Sequence, residues 1–97
     1  MASVQLQKQY EGKSDSEVYE AAKQAIVNAG FSVWKTRDLA RLVLGTGTIE
    51  GKEVRLNVVV SMMDSSATVS AEGDELDEKA LTPILEKIHV ELSKLLV

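Results

Sequence analysis

The chain has 97 residues, 44% hydrophobic and 27% charged, which suits one hydrophobic core and a single domain over 1–97 and excludes a disordered chain. It contains no cysteine, which removes disulfides, thiolate metal sites and thiol nucleophiles together. A net charge of −4 repels phosphate polymers, so nucleic acid is not an expected partner.

The start of the chain, Met1-Ala-Ser-Val-Gln-Leu-Gln-Lys8, has no basic segment followed by an apolar run, so a signal peptide is not expected. No apolar stretch approaches the roughly 20 residues that cross a bilayer. A cytoplasmic location without a membrane span is the expectation. Charge is unevenly spread. Residues 61–97 hold eight acids against Lys79, Lys87 and Lys94, whereas residues 31–60 hold five bases against Asp38, Glu50 and Glu53.

Residues 3–10 alternate with period two, which predicts a strand with Val4, Leu6 and Tyr10 on one face. Ser14-Asp-Ser-Glu17 matches a capping box that opens a helix, and Asn28-Ala-Gly30 closes it, because glycine accepts the left-handed conformation of a helix end. The buried side of this helix is Val18, Ala22, Ala25, Ile26 and Ala29, small enough for a close approach to its neighbour. Phe31–Arg37 reads as a second strand and turns through Asp38-Leu39-Ala40 into a third.

The turn at Glu50-Gly51-Lys52 decides which face of the third strand is buried. A two-residue loop at Gly51-Lys52 pairs Ile49 with Val54. A type I turn with Gly51 as a left-handed bulge pairs Thr46 with Val54, Leu44 with Leu56 and Leu42 with Val58. The second register gathers the large apolar residues on one face and is preferred here, since a slip of one residue flips them all. The fourth strand then turns Val54, Leu56, Val58 and Val60 inward, and the fifth Ala67, Val69 and Ala71. Last comes a long helix with the stripe Leu81, Ile84, Leu85, Ile88, Leu92, Leu95 and Leu96. Pro83 sits in its first turn under a Thr82 cap, or marks a kink in a helix capped by Asp77.

These readings make an α+β fold, β-α-β-β-β-β-α, with a five-stranded antiparallel sheet in the order 1-5-4-3-2 and both helices on one face. The order of elements resembles the helix-grip group, which includes TATA-box-binding-protein repeats, START-like and pollen-allergen-like domains, and small modules of outer-membrane assembly lipoproteins. The residues that carry the resemblance run from Val18 to Leu44: a capped helix ending in Ala29-Gly30-Phe31-Ser-Val33, an acidic turn residue Asp38, and Leu42-Val-Leu44-Gly-Thr-Gly47. The resemblance implies the fold; the group's members bind sterols, DNA or proteins, so it implies no single function.

No catalytic set assembles. His89 is the lone histidine, has no partner fixed by spacing, and is expected at a boundary with its ring solvated. The acids from Glu72 to Glu78 lack a calcium-loop pattern and suit the N-terminus of the last helix. Gly45 and Gly47 precede a strand rather than a helix, so they make no phosphate loop and are expected on the outer face, relieving twist. The chain is therefore not expected to be an enzyme, and no metal or cofactor is expected.

Two surfaces remain. The outer sheet face is expected to carry Trp34, Val43 and Val59 among Arg41 and Arg55, a composition suited to protein contact and above all to a homodimer. The alternative is a small apolar ligand carried between the last helix and the sheet, lined by Leu44, Leu56, Val58, Ala67, Val69, Ile88 and Leu92.

Overall fold

Alternation, capping and turn chemistry place seven elements along the computed structural model, which describes residues Ala2–Val97: β1 (Ala2–Gln9), α1 (Asp15–Asn28), β2 (Ser32–Arg37), β3 (Leu42–Ile49), β4 (Lys52–Val60), β5 (Ser66–Gly73) and α2 (Glu78–Leu95). The strands form one antiparallel sheet in the order β1-β5-β4-β3-β2. The expected α+β architecture is the one found, with α1 and α2 packed against each other and against the sheet.

Helix ends follow the local chemistry. The Ser14 side chain accepts from the Glu17 amide at 3.1 Å and starts α1. At the other end Gly30 takes φ +96, the Phe31 amide donates to Ile26 O and the Gly30 amide to Val27 O, both at 3.0 Å. Those two bonds make a Schellman stop. For α2 the cap is Asp77, which accepts from the Ala80 amide at 2.9 Å. Pro83 therefore lies inside the helix, past its first turn, and Thr82 donates to Glu78 O at 2.8 Å instead of capping.

The β3–β4 turn falls between the two registers considered from sequence. Its loop is Glu50-Gly51, with φ 52 and 80, and Ile49 pairs with Lys52. Two consecutive left-handed residues form a type I′ turn, whose twist matches that of the strands it joins. The pairs are then Gly47–Val54, Gly45–Leu56 and Val43–Val58. This corrects the expected faces of β3: Val43 points inward and is fully buried, while Leu42 and Leu44 point outward. β4 and β5 face as expected, with Val54, Leu56, Val58, Val60, Ala67, Val69 and Ala71 in the core.

Gly45 and Gly47 thus lie under the helices, not on the outer face. A Cβ on Gly45 would meet Ile26 Cγ2 at 3.1 Å, and one on Gly47 would fall onto the Phe31 ring. The glycines are seats for Ile26 in the last turn of α1 and for Phe31, three residues beyond its end. Val18, Tyr19, Ala22, Ala25 and Ile26 from α1 join Leu81, Leu85, Ile88 and Leu92 from α2 in one continuous core.

Candidate interaction surface

Cross-strand partners share a face, so the register lays the outer side of the sheet out in rows. One row runs Gln7, Thr68, Val59, Leu42, Arg37; the next Gln5, Ser70, Asn57, Leu44, Lys35; the third Ser3, Glu72, Arg55, Thr46, Ser32. The β1 and β5 side is polar, and the β3 and β2 side is apolar with a basic fringe. Trp34 is the extra residue of a β-bulge between the Val33–Gly45 and Lys35–Leu44 pairs. The bulge re-aims its side chain, and the indole is 61% exposed.

Between the second and third rows lies a trough of about 190 Å³, walled at one end by Trp34 and Leu44, flanked along one side by Asn57 and Ser70 and floored by Gly45, Leu56 and Ala71, with Ser3 and Glu72 at the far end. It crosses every strand of the sheet.

The sequence-derived candidates divide. Trp34 and Val59 stand on this face, with Val59 44% exposed. Val43 leaves it for the core, because the type I′ turn moved the register by one. Leu44, expected beneath α2, replaces it and lines the trough. Arg41 turns away toward α1: its Nε binds Asp15 Oδ2 at 2.9 Å, Nη2 donates to Ser16 Oγ at 3.1 Å and Nη1 to Asp38 O at 2.8 Å. That guanidinium holds the Asp15 carboxyl below its usual range. Asp38 in turn accepts from the buried Tyr19 hydroxyl at 2.5 Å, so the β2–β3 turn is tied to α1 through both ends. Arg55 stays on the outer face, but its charge is met by Glu72 at 3.0 Å, Glu53 at 3.0 Å and Asp74 at 3.4 Å.

The residues of the other expected site lie in the core, apart from Leu44. Val58, Ala67, Val69, Ile88 and Leu92 are all 0% exposed and Leu56 3%, and none of the five principal depressions reaches those first five residues. The alanines on the inner face, Ala67 and Ala71, are 0% and 1% exposed beneath the helices.

His89 is buried, which corrects the expectation of a solvated ring. Its Nε2 lies 2.9 Å from Leu6 O, an acceptor only, so Nε2 carries the proton. Nδ1 then accepts from the Tyr10 hydroxyl at 2.6 Å. Burial holds the imidazole below its ordinary pKa, a shift that the Leu6 carbonyl opposes and Lys8 reinforces. Both ring nitrogens are occupied in joining α2 to β1 and to Tyr10 just beyond it. The signal for this pair was present in the sequence only as Tyr10 at the end of an alternating strand.

No protein-family model matches the chain, and no curated protein matches it. Among solved structures, a DUF4468 family protein from Bacteroides ovatus ATCC 8483 is similar, with a TM-score of 0.52 and 12% identity over 72% of this chain and 52% of that one. The chain therefore matches about half the length of that protein. What the two have in common is an α+β sheet fold.

Proposed function

We propose that this chain is a non-enzymatic interaction module that associates with a second copy of itself through the outer face of its sheet. The observation that carries the reading is the unequal treatment of the two faces. Both helices cover one side, while Trp34, Leu42, Leu44 and Val59 form an uncovered apolar group on the other. Five strands at about 4.8 Å spacing and about eight residues long make a face on the order of 600 Å², close to the roughly 800 Å² that one partner brings to a standard interface. Aromatic and aliphatic anchors with a polar surround are what such interfaces use.

Two features support a non-catalytic role. The sole histidine is committed to Tyr10 and Leu6, and Arg55 is held among carboxylates. The helix-grip kinship belongs to the same proposal, supported by the shared order of elements.

Sedimentation velocity on the wild type and on Leu44→Asp tests the reading. A wild-type dimer that Leu44→Asp converts to monomer is expected. A wild-type monomer at about 100 µM, where a micromolar complex would be populated, overturns it.

A further inference from the structure

The trough on the outer face has a volume of about 190 Å³, below the roughly 300 Å³ at which small-molecule sites begin. It is large enough for one bulky side chain. Its character is mixed: Trp34 and Leu44 supply an apolar wall at the β2 end, Arg55 lines the middle, and Asn57, Ser70 and Ser3 supply amide and hydroxyl groups. Among the described residues none of those three polar side chains has a hydrogen-bond partner. At the far end Glu72 binds Arg55 through Oε1, which leaves its second oxygen open to a donor. The far end, over β1 and β5, thus offers hydroxyl and carboxylate acceptors around a shallow depression, which suits the one N–H that a tryptophan must satisfy when its ring is covered.

The same face presents such a group. Trp34 is pushed out by the β-bulge and stands between the second and third rows, the level at which the trough crosses the sheet. β4 is the central strand in the order β1-β5-β4-β3-β2. A two-fold axis lying in the interface along β4 carries β2 of one copy over β1 and β5 of the other without changing its level along the strands. Under that operation each Trp34 arrives above Ser3, Ser70 and Glu72 of its partner.

Resting on the self-association reading, we propose that the dimer is a reciprocal knob-in-trough pair: each Trp34 indole seats in the far end of the partner's trough, with its N–H directed at the Ser3, Ser70 and Glu72 oxygens. The interface is then isologous, as closed two-fold symmetry requires. Both indoles are buried by one event.

Trp34 is the only tryptophan in the chain, so its fluorescence reports this contact alone. The experiment follows emission and acrylamide quenching across a dilution series, beside sedimentation velocity on the wild type, Ser70→Arg and Thr48→Arg, with circular dichroism to verify folding. Ser70 lines the trough, whereas Thr48 lies on the same face outside it. The expected result is a blue shift and a severalfold drop in quenching that track the dimer fraction, with dimerisation at least tenfold weaker in Ser70→Arg and less than threefold weaker in Thr48→Arg. A dimer whose tryptophan stays solvent-exposed overturns the inference and leaves self-association standing. So does a protected tryptophan with Ser70→Arg no worse than Thr48→Arg, the mark of two indoles packing on each other. A monomeric wild type overturns both.

Discussion

The Phe31 ring fills the space that a side chain at position 47 would need, and Gly47 is the residue that leaves it free. Phe31 is placed there by the helix stop, since its amide closes the Schellman motif on Ile26 O. Gly47 is turned toward it by the type I′ register of β3 and β4. A local helix signal and a hairpin turn thus meet at one contact.

Gly47→Ala is expected to destabilise the protein by about 1–3 kcal/mol, the range for overpacking a filled site. The ring must swing aside, so the loss shrinks when Phe31 is also cut to Ala. Urea denaturation of the two single variants and the double variant measures the coupling. A value near zero means that the ring does not occupy this space.

Stability is expected to decline as the pH falls below about 6.5, the ordinary histidine value. Burial lowers the His89 pKa in the folded state, so below 6.5 the unfolded chain binds a proton that the folded chain does not, and unfolding is favoured. The stabilisation is complete above 6.5 and is lost progressively down to the folded pKa, with a slope of at most about 1.4 kcal/mol per pH unit. Thermal melts between pH 7.5 and 5 on the wild type and His89→Phe decide the matter. The variant's profile should be flatter; an equal slope in both assigns the effect to other groups. The Asp15 carboxyl, lowered by Arg41, adds its loss only at more acidic pH, as pH falls through the carboxylate range below 3.8.

Glu50→Asn is expected to stabilise the protein by about 0.5–1 kcal/mol, part of the roughly 1–2 kcal/mol that a side chain in the left-handed region costs, because asparagine is favoured at this position of a type I′ turn. Glu50 has φ 52, and its side chain makes no hydrogen bond among the described residues. A shift in the urea midpoint reads the gain. A loss of stability instead argues for a different turn.

The start of α2 can be located by its caps. Asp77→Ala is expected to cost about 1 kcal/mol, the usual value of an N-cap, because it removes the carboxylate that accepts from the Ala80 amide. Thr82→Ala should cost only a few tenths, since Thr82 bonds back to Glu78 O within an already formed turn. The reverse order would place the helix start at Pro83.

Much of the architecture could be read from residues a few positions apart. Ser14 and Gly30 bound α1, alternation marks β1, β4 and β5, and the apolar stripe from Leu81 to Leu92 marks the buried side of α2. Each is a short-range signal in which side chain and backbone interact within a turn or between the two faces of a strand. The strand order follows, because consecutive antiparallel strands joined by short turns pair in sequence, and β1 is left to close on β5.

The outer face was less legible. Counting large apolar residues favoured Leu42 and Leu44 as core, since a glycine contributes nothing to that count. Only in the folded molecule do Ile26 and Phe31 fill Gly45 and Gly47 from the helical side, so that Val43 completes the buried row and the leucines turn outward. The solvated reading of His89 failed for a similar reason. Its partners, Tyr10 and the Leu6 carbonyl, lie about eighty residues away in the chain.

By itself, then, the amino-acid sequence determined the bounds of α1, which strands pair and that both helices cover one face, all consequences of local capping and periodicity, while the start of α2 stayed open between Asp77 and Thr82. The tertiary structure decided which side of β3 is buried, how His89 is held and where the trough beside Trp34 lies. Those depend on volume supplied from elsewhere: a glycine counts as core only when another element's side chain arrives to fill the space it leaves.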